Sequence, residues 1–152
     1  DQVEIVDDQV LIAANRGEEP RPLRKIASGG ELARALLAVK RVLTDVGPRT
    51  FYVFDEVDTG VGGAVAEVIG RKLADVAAHH QVICITHLAQ IAVYGQTHFR
   101  VAEKVVGERT CSEIVKLDEA ERLEEIARMV GGVKITARPR AAAAELLEQA
   151  RR

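Results

Sequence analysis

The sequence predicts an α/β fold in which a mostly parallel sheet is flanked by helices, with an antiparallel hairpin and C-terminal helices completing the chain. Two observations lead to this class. Two short apolar runs, residues 51–54 and 82–85, are separated by a helical segment, and strand–helix–strand order requires parallel pairing. The chain also has 152 residues, 47% of them hydrophobic, which suits a single domain, residues 1–152, with its own core.

The elements before the parallel pair are predicted as two strands, a loop and a helix. Residues 3–6 and 10–14 are short, apolar-rich and bounded by turn residues, so we expect two strands that pair with each other. Residues 15–25 contain one glycine and two prolines and are predicted as a loop. Residues 31–45 carry apolar side chains at helical spacing and precede a Gly-Pro pair, which predicts a helix.

The parallel pair is built around a crossover helix. Residues 51–54 are a continuous apolar run, which is typical of a strand covered on both faces. Residues 61–78 have a helical pattern and lead into the second buried strand, residues 82–85. The carboxyl ends of the two strands should therefore lie at one edge of the sheet.

The end of the chain is predicted as a hairpin and two helices. The hairpin arms are residues 99–103 and 110–116. Asp118 and Glu121 form a capping box that begins the next helix, and an alanine-rich helix occupies residues 139–151.

Charge and cysteine content restrict the function. The 21 basic and 23 acidic residues leave a net charge of -2, so any DNA contact must come from a local patch. Cys84 and Cys111 lack the short spacing of a metal site and are predicted to be small core residues in a reducing compartment. No apolar stretch approaches the roughly 20 residues of a membrane span, and the first residues lack a signal-peptide pattern. The expected location is the cytoplasm.

A Ser-Gly-Gly-Glu turn opens the first predicted helix. A helix start has backbone N–H groups without intrahelical partners and a partial positive charge, so Ser28, Gly29 and Gly30 are suited to bind a phosphate. Ser28 and Glu31 also match the Ser-x-x-Glu capping box, which would serve the helix alone. The two glycines favour the phosphate role, because they cost helix stability unless another group approaches closely.

Acidic and imidazole side chains follow the two buried strands. Asp55 and Glu56 come after the first strand, at the edge where such sheets bind ligands. Neighbouring strand residues point in opposite directions, so one carboxylate can hold a hard cation while the other deprotonates water. His87 ends the second strand and is a candidate for contacting the transferred phosphate. The alternatives are a solvated acidic turn and an ordinary turn histidine.

A P-loop is absent from the sequence. No Gly-x-x-x-x-Gly-Lys-Ser/Thr segment occurs in the 152 residues. The motifs therefore predict only half of an ATPase site, and the isolated chain is expected neither to bind ATP tightly nor to hydrolyse it.

These motifs, in this order, resemble the second half of an ABC-type ATPase head. Within that superfamily the chain is most similar to the RecN family of bacterial SMC-like DNA repair proteins, roughly over residues 10–132. Four segments carry the resemblance, namely residues 27–34, 55–63, 86–92 and 126–132.

The resemblance implies a role for seven residues. ATP held on the P-loop of a second head would be contacted by four signature residues, Ser28, Gly29, Gly30 and Glu31. Asp55 would bind Mg²⁺, Glu56 would be the general base, and His87 would sense the γ-phosphate.

The resemblance also implies partners and an activity. The chain would be the C-terminal lobe of a head completed by its own N-terminal P-loop lobe, and ATP would join two such heads as a homodimer. The implied activity is ATP hydrolysis in DNA double-strand break repair and recombination, with DNA bound through the full-length protein at the nucleoid after damage. No membrane partner is implied.

Two other functions remain open. The nucleotide-binding half of a membrane transporter should carry Pro-Thr after Asp-Glu and Leu-Asp beyond it, where this chain has Val57-Asp58 and Val61-Gly62. A non-catalytic DNA-binding or scaffolding module would need a basic patch. Two clusters could supply one, or could equally be solvated faces: Arg21, Arg24 and Lys25, and Arg138, Arg140, Arg151 and Arg152.

Overall fold

The chain forms two compact units, Asp1–Thr86 and His87–Arg152. The computed structural model describes residues 2–6, 9–13, 19, 21–22, 29–42, 48–106, 109–132 and 137–151.

The first unit opens with a small antiparallel sheet. Strands β1 (Gln2–Val6) and β2 (Gln9–Ala13) pair in antiparallel register, as predicted. Part of the predicted loop is instead a short third strand, β3 (Arg21–Pro22), which pairs with β2. The strand order β1-β2-β3 puts Pro22 on an edge, where the missing N–H of proline is tolerated.

Two helices of the first unit pack against each other. Helix α1 (Gly29–Val42) confirms the predicted helix but begins two residues earlier, and its predicted end at residue 45 lies outside the described residues. Helix α2 (Gly63–Ala77) is the predicted crossover helix. Both are amphipathic, and α1 buries Ala35 and Leu37.

The parallel strand pair is confirmed. Strands β4 (Phe51–Phe54) and β5 (Gln81–Cys84) pair in parallel with Phe54 beside Cys84, and the amide of Ile85 donates to the carbonyl oxygen of Phe54 at 2.9 Å. The two strands therefore end at the same edge, which is where the acidic residues and Thr86 follow.

The prediction that the β4 strand is covered on both faces is wrong for the described part of the chain. Phe54 is 2% exposed, whereas Phe51 and Val53 are 53% and 54% exposed. An apolar run identifies a strand with two covered faces only when a layer lies on each side, and the described residues supply a layer on one side.

The second unit begins with a helical turn and a hairpin. Helix α3 (Ala89–Ala92) is followed by strands β6 (Phe99–Val106) and β7 (Arg109–Lys116), which pair in antiparallel register. The predicted hairpin is confirmed. Cys111 lies exposed on β7, so its prediction as a core residue is wrong, while Cys84 on β5 is partly buried and both thiols are free.

Two C-terminal helices complete this unit. Helix α4 (Glu119–Gly131) begins with the predicted capping box, in which the amide of Glu121 donates to Asp118 at 2.8 Å and the amide of Asp118 donates to Glu121 at 3.0 Å. Helix α5 (Ala137–Ala150) begins two residues before the predicted start, with Pro139 in its first turn, where proline is tolerated. The core joins α3, α4 and α5 through Ala89, Val93, Ile126, Ala127 and Ala143.

The α/β class is thus confirmed, although the parallel part is small. Among the described residues, the parallel sheet has two strands, and the other two sheets are antiparallel.

Candidate active site

The acidic loop, residues 55–60, follows β4 at the carboxyl edge of the parallel pair. Asp55 and Glu56 are both exposed there, and the backbone amide of Glu56 donates to Oδ1 of Asp55 at 2.9 Å. Exposed carboxylates at this edge are accessible to a ligand, which is the placement that the sequence predicts.

Glu56 holds an uncommon backbone conformation. Its φ is 58°, the one positive value at a non-glycine residue among those that the structure describes. The carbonyl oxygen of Glu56 accepts from the amide of Thr59 at 3.1 Å, which closes a turn directly after it. A non-glycine residue in this region costs free energy and persists only where its surroundings hold it.

The start of α1 lies against this loop. A Cβ added at Gly29 would overlap Oε2 of Glu56, and a Cβ added at Gly30 would lie 2.8 Å from the carbonyl oxygen of Glu56 and 3.1 Å from Cβ of Thr59. The close approach that the two glycines predict is therefore present, and the approaching group is the acidic loop of the same chain. Their contact with a phosphate remains a prediction.

Arg34 links the same two elements by hydrogen bonds. Its Nη1 donates to the carbonyl oxygens of Val57 at 3.3 Å and Thr59 at 3.0 Å. Sequence reasoning missed this residue, although its position one helical turn after Gly30 places it on the same side of α1 and was an available signal.

Asp58 anchors the loop to the end of β5. Its side chain is buried, at 5% exposure, and its Oδ2 accepts from the hydroxyl of Thr86 at 2.7 Å. Sequence reasoning gave Asp58 no role, because no local pattern reports a hydrogen bond between residues 28 positions apart.

The loop creates a negative electrostatic environment. Burial raises the pKa of the Cys84 thiol to about 12, and the charges of Asp58 and then Asp55 contribute to the same rise. A site with this charge favours a bound cation, because a positive ion would offset the carboxylates.

The side chains present fit a Mg²⁺ ion held mainly by its substrate. No group of three or more His, Cys, Asp or Glu side chains suited to a metal occurs in the described ranges. Mg²⁺ commonly takes only one or two carboxylates and completes its shell with phosphate oxygens and water. Asp55, exposed at the sheet edge, meets that requirement.

The predicted site residues are only partly brought together. Gly29, Gly30 and Glu56 are in contact in the first unit, and Glu31 lies in the first turn of α1. His87 is exposed and belongs to the second unit. Ser28 lies outside the described residues.

The candidate basic patch of the second unit is partly neutralised. Arg140 pairs with Glu124 at 2.8 Å, and Arg151 lies 3.6 Å from Glu119. Residues 24, 25 and 152 of the two clusters lie outside the described part of the chain. Within that part, none of the helices has the length and apolarity needed to cross a membrane.

Comparison with known proteins finds relatives among DNA repair proteins named RecN. No family model matches the chain. It is 51% identical over 141 residues to DNA repair protein RecN of Xylella fastidiosa (strain 9a5c), covering 93% of this chain and 25% of the relative. It is 44% identical over 140 residues to DNA repair protein RecN of Bacillus subtilis (strain 168), covering 92% and 24%. The chain thus spans about a quarter of the length of these curated relatives.

A solved structure supports the same fold. One chain from work on the ATP-driven dimerization and DNA-stimulated activation of SMC ATPases aligns with a TM-score of 0.50 at 20% sequence identity. The alignment covers 76% of each chain. This likeness concerns the fold alone.

Proposed function

Since this chain belongs to the RecN family of DNA repair proteins, we propose that it is the C-terminal lobe of an ATPase head acting in DNA double-strand break repair. The observation that carries the proposal is the contact between the Gly29-Gly30 helix start and the loop that presents Asp55 and Glu56. The helix start can bind the phosphate of one nucleotide and the two accessible carboxylates can serve another, and phosphoryl transfer depends on positioning and charge stabilisation of this kind. The proposed location is the cytoplasm, with recruitment to the nucleoid after DNA damage.

The proposed mechanism divides the work among the named residues. Mg²⁺, when bound, would neutralise charge on the phosphates. Asp55 would hold that ion through a carboxylate oxygen, and Glu56 would orient a water molecule and accept its proton. His87, which follows β5 in the sequence, would contact the γ-phosphate.

The signature residues act on the nucleotide of a second head. Ser28, Gly29, Gly30 and Glu31 contact the γ-phosphate of ATP held on the P-loop of the partner head, so that ATP joins two heads. Hydrolysis then ends this contact. ATP and Mg²⁺ are the proposed cofactors, and DNA is bound through the full-length protein.

A P-loop lobe is the proposed partner of the uncovered face of the parallel pair. Val53 lies beside Ile83 in the parallel register, and the two are 54% and 46% exposed. Phe51 and Ile85 are similarly exposed, at 53% and 55%. Burying an apolar side chain fully is worth about 1.5–3 kcal/mol, so four half-exposed side chains give a second lobe an appreciable gain.

The isolated chain is expected to be inactive, because it lacks the P-loop amides and lysine. A head assembled from this chain and a relative's P-loop lobe should recover ATP hydrolysis. The variant Val53→Lys should prevent this assembly, whereas Val101→Lys, on the exposed hairpin, should not. Rapid hydrolysis by the purified 152-residue chain would contradict the proposal.

The decisive test compares the two acidic neighbours in such a head. Glu56→Gln keeps the shape of the side chain and removes the base, so turnover should fall by about 10² to 10⁴ while ATP still binds. ATP-dependent pairing should then accumulate as a larger particle in gel filtration. Asp55→Asn should reduce nucleotide binding as well as rate, because it weakens the metal site. The matched control is Glu67→Gln on α2, which should hydrolyse ATP normally. An unchanged rate in Glu56→Gln would refute the assignment.

Neither competing function has a specific observation in its favour. The chain lacks the Pro-Thr and Leu-Asp pairs expected of a transporter subunit, and its named relatives are DNA repair proteins. Ion pairing of Arg140 and Arg151 weakens the case for a DNA-binding module. A titration of this chain with DNA at several salt concentrations tests the DNA-binding module, since phosphate contacts give steeply salt-dependent binding.

A further inference from the structure

Asp58 is a buried acid in a loop whose other two acids are exposed. It is 5% exposed, and the apolar residues Val57 and Phe54, which precede it in the chain, are 0% and 2% exposed, so this part of the chain is well buried. A carboxylate in such surroundings is unfavourable unless polar partners compensate it, and an apolar residue would commonly be at least as stable there. The presence of an acid therefore calls for a reason other than stability.

The hydrogen bond from Thr86 supplies that reason. The Thr86 hydroxyl donates to Oδ2 of Asp58 at 2.7 Å, which ties the middle of the acidic loop to the end of β5. The carbonyl oxygen of Asp58 also accepts from the amide of Val61 at 3.3 Å. The side chain of Asp58 and its backbone thus fix the loop at one point.

Glu56, two residues earlier, needs such a fixed point. Its φ of 58° is a conformation that the surrounding structure must impose. On the other side of the loop, Arg34 holds the carbonyl oxygens of Val57 and Thr59. The loop is therefore held between α1 and β5, with the Glu56 carboxylate exposed at its start.

We propose that Asp58 is a positioning residue, which acts through its hydrogen bond with Thr86 to hold the Glu56 carboxylate in the geometry for hydrolysis. This inference rests on the proposed function, because it takes Glu56 as the base. Small displacements of a reacting group are costly, since a shift of about 1 Å can reduce a rate by about 10²-fold.

The test is made in the assembled head with three substitutions of Thr86 and Asp58. Thr86→Val removes the hydroxyl at nearly constant shape and should lower kcat by at least about tenfold, with KM for ATP unchanged. Thr86→Ser keeps a hydroxyl donor at this position and should hydrolyse ATP at the parent rate. Asp58→Asn keeps an acceptor oxygen, so its kcat should lie between those of the parent and Thr86→Val. The matched control is Thr110→Val, on an exposed position of β7, which should leave kcat unchanged.

A double variant separates positioning from general stabilisation. If Asp58 and Thr86 act through Glu56, adding Thr86→Val to Glu56→Gln should cause no further loss of rate, because the group being positioned is already disabled. An equal fractional loss in both backgrounds would overturn the proposal, as would a parent-like kcat for Thr86→Val. If Thr86→Val does not fold, the comparison of Asp58→Asn with Asp58→Ala decides: equal rates overturn the proposal, and a slower Asp58→Ala supports it.

The same set distinguishes this inference from the function on which it rests. If Glu56→Gln hydrolyses ATP at the parent rate, the proposed function fails and Asp58 has no base to position. If Glu56→Gln is inactive while Thr86→Val and Asp58→Ala are both parent-like, the function stands and the positioning role fails.

Discussion

Replacing Gly30 by alanine tests the contact between helix α1 and the acidic loop. The new Cβ would lie 2.8 Å from the carbonyl oxygen of Glu56, 3.0 Å from Nη1 of Arg34 and 3.1 Å from Cβ of Thr59. Gly30 is buried, and the nearest atom is backbone, so the loop cannot yield by rotating a side chain. The variant must move α1 or the loop.

The expected cost follows from two opposing effects. Overpacking a closely packed position typically costs about 1–3 kcal/mol. Alanine is favoured over glycine inside a helix by about 1 kcal/mol, and by less in the first turn. The net loss should be about 1–2 kcal/mol, which corresponds to a melting temperature lower by about 2–8 °C for a chain of this size.

Thermal and urea unfolding of this chain measure the effect. Gly29→Ala is the informative contrast, because its Cβ would overlap only the Glu56 carboxylate, which is exposed and can rotate away. Gly29→Ala should therefore keep its stability but lower the hydrolysis rate in the assembled head. Gly62→Ala is the control, since no atom lies within 4 Å of its added Cβ. A Gly30→Ala variant as stable as the parent would refute the contact between α1 and the loop.

Three further predictions use other residues. A thiol reagent at pH 8 should label exposed Cys111 first and Cys84 slowly, because a pKa of about 12 leaves only about 10⁻⁴ of the Cys84 thiol ionised. In Cys111→Ser only Cys84 can react, so labelling of this variant as fast as labelling of the parent would contradict the prediction. Burial, with a contribution from Arg122, lowers the pKa of His98 below its ordinary 6.5, so the unfolded chain binds a proton more readily than the folded one. The free energy of unfolding should fall as pH drops below 6.5, and urea unfolding should show a smaller fall in His98→Gln. His87→Ala should slow hydrolysis in the assembled head with little change in melting temperature, since His87 is exposed; a lower melting temperature with normal turnover would make it a structural residue.

The sequence predicted the regular elements well because their signals are local. The helix cap at Asp118 needs only a short polar side chain and an acid three residues later, and both hydrogen bonds are present. The hairpin and the parallel pair likewise follow from short apolar runs and the segments between them. Boundaries differed by about two residues, because helix ends depend on contacts such as those of Gly29 with the acidic loop.

Burial was predicted less well because it depends on neighbours outside the segment. Val53 and Phe51 have the apolar character of covered residues, yet about half of each is exposed. Cys111 lies in strand β7, whose described pairing partner is the other arm of the hairpin. An apolar pattern predicts which residues can be buried, but it does not identify the segment or partner that buries them.

The candidate site shows the same division between local and distant information. Asp55, Glu56 and the glycines were identified from residue type and order, because each has a chemical use at the end of a strand or the start of a helix. The groups that hold them were not, because Arg34 and Thr86 contact the loop across 23 to 28 positions of sequence. The positive φ of Glu56 depends on that support.

The two glycines consequently have two uses that a single substitution can separate. Gly30 faces the backbone of the acidic loop, so its lack of a side chain serves packing within the chain. Gly29 faces the Glu56 carboxylate, a mobile group at the surface, so its lack of a side chain leaves space that a carboxylate or an incoming phosphate can occupy. If both glycines served packing alone, alanine at either position would lower stability. If the two glycines have different uses, Gly30→Ala should lower stability and Gly29→Ala should lower turnover. This pair of results is expected when the start of α1 packs against the acidic loop at Gly30 and leaves space beside it at Gly29.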